Sequence, residues 1–183
     1  MAVYMCLDLK SFYASVECAD LGVDPFTTPL VVADASRGLG AITLAISPAL
    51  KALGVKNRCR LFEIPSTIEY IAVKPRMRRY MEVSASIYGV LLECVAPEDI
   101  HVYSIDEYFI DVTPYSRLYK KSYYDLALLF KDKVLERTHI HATVGLGSNL
   151  FLAKVALDVL AKHAPQGIGV LNEELFKEKI WYH

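Results

Sequence analysis

Once residues 12–75 are set aside, the sequence reads strand, helix, strand, strand, helix, strand, the order of the split ferredoxin-like pattern. An α+β fold is therefore expected, with one inserted segment. Val3 to Leu7 is a short apolar run that ends in an acid, Asp8, as a buried strand meeting a sheet edge would. Pro75 introduces a long amphipathic helix through Cys94, with Met77, Met81, Ile87, Leu91 and Val95 on its apolar side, and Pro97 ends it. Strands over Val102 to Ile105 and Tyr108 to Val112 follow, then a helix from Ser122 to Arg137, a strand from Ile140 to Leu146 and a helix from Asn149 to Lys162. Ile168 to Leu171 adds a strand and Glu173 to Ile180 a helix.

Inside the inserted segment, Ser11 is placed to cap a helix carrying Phe12, Val16 and Ala19, which Gly22 and Pro25 stop. Leu30 to Ala33 and Ala41 to Ile46 read as strands on either side of the Gly38-Leu39-Gly40 turn. Pro48 opens a helix that Gly54 closes, and Glu69 to Val73 is a further strand.

The 183 residues are 54% hydrophobic and 22% charged, enough for a real core and wrong for disorder. Formal charge is −1, so any grip on DNA must be local or shared with parts outside this sequence. Cys6, Cys18, Cys59 and Cys94 form no Cys-x-x-Cys and read as buried thiols. His101, His139 and His141 lack ligand spacing, and Gly145-Leu146-Gly147 lacks the Lys of a phosphate loop. A basic leader and a long apolar run are both missing, which predicts a cytoplasmic protein that does not enter a membrane.

Asp106 and Glu107 are the sharpest chemical feature. Along an unbroken strand their side chains would point to opposite faces, whereas a two-residue hairpin would set both at the sheet's end. Asp-Glu is a poor hairpin turn, which suggests a functional demand. In ferredoxin-like order the first strand lies beside this hairpin, bringing Asp8 to the pair. Three crowded carboxylates repel unless a cation binds, and Mg²⁺ is the natural guest. Acidic pairs at turns are common on surfaces; the placement of this one suits two-metal phosphoryl chemistry.

Asp8-Leu-Lys-Ser-Phe-Tyr-Ala-Ser-Val-Glu17 and Tyr103-Ser-Ile-Asp-Glu107 resemble the two catalytic signatures of Y-family lesion-bypass DNA polymerases, nearest the bacterial UmuC/ImpB/MucB/SamB-type branch. Further matches run collinearly through Pro29-Leu-Val-Val32, Ser47 to Gly54, Thr143 to Gly147, Leu152-Ala-Lys154 and Ala161-Lys162. The resemblance implies a ferredoxin-like polymerase palm at 1–11 and 76–168, a small fingers domain inserted at 12–75, and the start of a thumb at 169–183. On that layout the rest of the thumb and the little finger lie outside the chain, which reads as an N-terminal part.

The resemblance also implies roles. Asp8, Asp106, Glu107 and the Leu9 carbonyl would hold two Mg²⁺ or Mn²⁺ ions, the three acids being catalytic. Tyr13 would be the steric gate against a 2′-hydroxyl, and Lys51 and Lys162 would contact the triphosphate. Pro48 departs from the family, standing where some relatives place a phosphate-binding Tyr. The implied partners are primer–template DNA, a dNTP and a sliding clamp reached through the region beyond the chain. The implied activity is template-directed DNA synthesis past lesions in the DNA-damage (SOS) response.

Lys74, Arg76, Arg78 and Arg79 crowd the start of the long helix, where each positive charge opposes the macrodipole by ~0.3–1 kcal/mol. Either DNA phosphate, contacted by Arg76, Arg78 and Arg79, or neighbours such as Glu82 must compensate them. Lys56, Arg58 and Arg60 read either as contacts to template phosphates or as a solvated surface loop. Two other functions compete with a polymerase. A nucleotide cyclase shares fold and acids, but Ser104-Ile105 replaces the Gly-Gly of one large cyclase group. A non-catalytic DNA-binding scaffold would have no need of all three acids.

Overall fold

The computed structural model describes residues 2–181. In chain order its elements are β1 (Tyr4–Leu9), α1 (Phe12–Leu21), β2 (Leu30–Val32), β3 (Ala45–Ile46), α2 (Pro48–Ala52), β4 (Ile71–Val73), α3 (Met77–Leu92) and β5 (Ile100–Val102). There follow β6 (Glu107–Asp111), α4 (Tyr115–Tyr119), α5 (Tyr123–Thr138), β7 (Ala142–Gly147), α6 (Leu150–Val155), β8 (Ile168–Leu171) and α7 (Glu173–Lys179). The chain divides into two compact units, Lys10–Val83 and the residues on either side of it.

The unit made by the flanking residues is built on a sheet of order β5-β6-β1-β7-β8. β1 runs antiparallel to both β6 and β7, which is the ferredoxin-like core, and β8 extends it parallel to β7. β7 is buried along its whole length, and the α6 backbone approaches it so closely that a Cβ on Gly145 would collide with the Ala153 carbonyl and the Leu157 amide. Cys6, Phe109, Ala153, Leu157 and Ala161 form the core on that face.

Two sequence expectations change here, and one short helix is added to them. The strand expected over 102–105 lies at Ile100–Val102, so Asp106-Glu107 is not a two-residue turn: Tyr103 to Asp106 make the connection and Glu107 opens β6. A four-residue loop needs no left-handed residue, and none occurs in it, which removes the difficulty of an Asp-Glu hairpin. The helix expected over 149–162 is α only through Val155, widens to a π turn over 156–160 and tightens over 161–163. The short helix α4 carried no periodic signal.

The Lys10–Val83 unit holds a second sheet, β3-β2-β4, over a core that includes Val31, Ile46, Leu50, Val55 and Leu61. The strand expected over 41–46 is short because its first residues turn to pair with another segment: Ile42 bridges Arg60, and the Thr43 N–H donates to the Cys59 carbonyl. Ser47 caps α2, accepting from the Leu50 N–H while donating to the Thr28 carbonyl. Ser11 does not cap α1. It sits in the left-handed region at φ 51°, and its hydroxyl accepts from the Lys51 ammonium at 2.8 Å. This unit takes in the first turns of α3 because they are tied to α1 through Glu17 and Asp20.

Candidate active site

β1 delivers Asp8 one residue before its end, directly opposite Glu107 in the antiparallel register. The Leu9 N–H donates to the Asp106 carbonyl at 2.9 Å, carrying the pairing one step past β6. Three acids therefore converge at one end of the central strand pair. Burial pushes the Asp8 carboxyl up to about 7, and the charges of Asp106 and Glu107 push the same way, with Lys162 and Lys154 opposing.

Each of the other acids has a local partner. Asp106 Oδ1 accepts from the Ser104 hydroxyl at 2.8 Å, and Glu107 Oε1 accepts from the Lys154 ammonium. The connecting loop is tied down by Ser84, whose hydroxyl donates to the Ile105 carbonyl at 2.6 Å, while the Tyr108 hydroxyl donates to the Ser84 carbonyl at 3.0 Å. With Glu107 turned to Lys154 and Asp106 to Ser104, no three His, Cys, Asp or Glu side chains among the described residues stand in ligand geometry. The donor chemistry nevertheless suits a hard divalent ion: the charges of Asp106 and Glu107 lie close enough to Asp8 to add to the rise that its burial causes, and the Leu9 carbonyl adjoins Asp8 in the chain.

Lys162 follows on from α6 and donates to Asp158 at 2.9 Å. The other expected site residues lie in the Lys10–Val83 unit. Tyr13, on α1, has its ring 4.6 Å from that of Tyr80 and 5.7 Å from that of Phe12. Lys51, on α2, is held to Ser11, and Pro48 occupies the first turn of that helix.

The basic cluster at the start of α3 is ion-paired within this unit. Arg76 bonds Glu17 and Asp20 at 2.6 and 2.7 Å, Arg79 bonds Asp20 at 2.7 Å, Arg78 reaches Glu82 at 3.2 Å, and Lys74 lies 3.7 Å from Asp34. Glu82 is thus one of several compensating acids. Glu17 is almost fully buried and also accepts from the Tyr80 hydroxyl at 2.7 Å.

Two contributors escaped the sequence reading. Lys154 was visible only as part of Leu152-Ala-Lys154, and nothing in its spacing points to Glu107, 47 residues away. Tyr80 carries no signal of its own in the sequence, and its partner Glu17 lies 63 residues away.

The impB/mucB/samB family model matches residues 7–158. DNA polymerase IV 2 of Bacillus subtilis is 35% identical over 182 residues, which cover 98% of this chain and 43% of that protein. A Y-family DNA polymerase chimera superposes with a TM-score of 0.78 at 27% identity, over 96% of this chain and 50% of the other. The insertion ternary complex of Dbh DNA polymerase gives 0.78 at 26%, with the same coverage. The chain spans about two fifths of the length of the curated relatives it matches first, 41% and 43%.

Proposed function

The chain belongs to the impB/mucB/samB family, and from that premise we propose that it carries the nucleotidyl-transfer site of a template-directed, lesion-bypass DNA polymerase. The observation that carries this reading is the meeting of Asp8, Asp106 and Glu107 at the end of one antiparallel strand pair. Its substrates would be primer–template DNA and a dNTP, and it would act where the cell keeps its DNA. Among the described residues no helix is long and apolar enough to cross a membrane.

Asp8, Asp106, Glu107 and the Leu9 carbonyl would hold divalent ions, two Mg²⁺ or Mn²⁺. Such ions neutralise phosphate charge and acidify an attacking hydroxyl. The chain's own groups do the rest. The acids present oxygen donors from a strand pair whose register is pinned on both sides of β1. Lys162 and Lys51 are assigned to the triphosphate, and the planar ring of Tyr13 to excluding a 2′-hydroxyl by clash. Arg76, Arg78 and Arg79 stand as the DNA-facing cations only where a phosphate competes with Glu17, Asp20 and Glu82. The sheet unit would be the palm, Lys10–Val83 the fingers with the palm helix's first turns, and the residues after β8 the start of a thumb. A sliding clamp would be reached through regions that longer relatives carry.

Primer extension on an overhanging template tests this. Extension dictated by the template, lost in Asp106→Ala, is expected. A cyclic nucleotide formed without template would make the site a cyclase, and DNA binding without either product would make the chain a scaffold.

A further inference from the structure

Lys154 is bound to acids on two sides. Its ammonium donates to Glu107 and lies 3.3 Å from Asp158, whose other oxygen accepts from Lys162 at 2.9 Å. Four side chains of alternating sign, Glu107, Lys154, Asp158 and Lys162, therefore form one connected series of ion pairs. Lys154, Asp158 and Lys162 recur every four residues along α6, the wide turn after it and the tight turn that follows. Lys154 and Glu107 are mostly sheltered, 30% and 14% exposed, so solvent screens their attraction less than that of a surface pair.

Glu107 is also one of the acids assigned above to a divalent ion. An ammonium and an ion would then compete for one carboxylate. We propose that Lys154 is a built-in counter-cation that holds Glu107 until an ion takes it, with Asp158 as the anchor that receives the released ammonium. This rests on the metal-site reading and adds the residues that set the site's affinity. Lys154 and Asp158 are positioning residues that act through Glu107.

The sign of the effect separates this role from a structural one. Removing a positive charge beside a cation site strengthens cation binding, whereas removing a merely structural lysine would disorder the acids and weaken it. Losing Asp158 acts in the opposite direction, because Lys154 and Lys162 forfeit their shared anion and Lys154 keeps Glu107 as its sole acidic partner.

The test is Mn²⁺ binding to the 183-residue chain, followed by electron paramagnetic resonance, with thermal melts run without ion. Lys154→Gln should bind Mn²⁺ roughly tenfold more tightly than wild type. Its ion-free melting temperature should fall and be regained on adding Mn²⁺. Lys154→Arg should stay near wild type, and Asp158→Asn should bind several-fold more weakly. Equal or weaker binding by a folded Lys154→Gln overturns the inference while the metal site stands. Should that variant not fold, Asp158→Asn decides, and unchanged affinity there overturns it. A wild-type chain that binds no Mn²⁺ removes the metal-site reading, and the inference with it.

Discussion

The Tyr80 ring lies 4.6 Å from the Tyr13 ring, tilted by 32°, and the Tyr80 hydroxyl donates to the buried Glu17 at 2.7 Å. Glu17 is held in turn by two bonds from the Arg76 guanidinium to one of its oxygens and a third to the other. The orientation of the Tyr13 ring is thus fixed from behind by a second ring, whose own hydroxyl is tied to an ion pair.

Tyr13→Ala should accept ribonucleotides more readily, and Tyr13→Phe should keep wild-type selectivity, because discrimination by clash needs the ring and not its hydroxyl. The measurement is the ratio of dNTP to rNTP incorporation. Unchanged selectivity in an active Tyr13→Ala would return the residue to core packing.

Arg76→Met should destabilise the fold by about 2–4 kcal/mol, since it strips a buried carboxylate of its main cation and leaves it the Tyr80 hydroxyl. Tyr80→Phe should cost about 1.5–3 kcal/mol, the value of one hydrogen bond to a charged acceptor. Urea midpoints give both. A loss below about 0.5 kcal/mol for Arg76→Met contradicts the assignment.

Without divalent ion, stability should decline as pH rises. The Asp8 pKa is raised in the folded state to about 7 from an ordinary 3.8, so folding favours the protonated form. That contribution is fully present below about pH 4 and is lost as pH climbs through 7, at up to about 1.4 kcal/mol per pH unit. Melts between pH 5 and 8 should show the slope, and Asp8→Asn should flatten it. A wild-type slope of the opposite sign would falsify the burial and charge crowding placed at Asp8.

Gly145→Ala should cost about 3 kcal/mol or more, because its Cβ would meet helix backbone that cannot rotate aside as a side chain would. Gly89→Ala is the control, with open space where its Cβ would go. Circular dichroism melts of the pair should differ sharply.

The chain alone should bind primer–template DNA weakly and with steep salt dependence, as its charge of −1 leaves only local phosphate contacts. Fluorescence anisotropy across a salt series reads this directly, and tight binding at physiological salt would contradict it.

Much of the fold was legible because hydrophobic periodicity is a local property. The apolar run into Asp8, the helical stretch of α3 and the strand expected to end at Leu146 each announce themselves within a few residues, and their order implies the sheet, although Met77 and Met81 of the apolar side expected for α3 stand exposed. The acids were legible for the same reason, standing at the tips of apolar runs. Tertiary structure alone decided the rest. Asp106 closes a four-residue loop and Glu107 opens β6 because that loop is tied to Ser84 and to Leu9, residues far from it in sequence. Ser11 gives up its expected cap and binds Lys51, and the helix after α6 widens where it lies against Gly145 of β7 and Gly169 of β8. The Lys154 and Arg76 pairings join charges 47 and 59 residues apart. Side-chain charge is written in the sequence; which opposite charge it meets depends on chain paths that only the packed core determines.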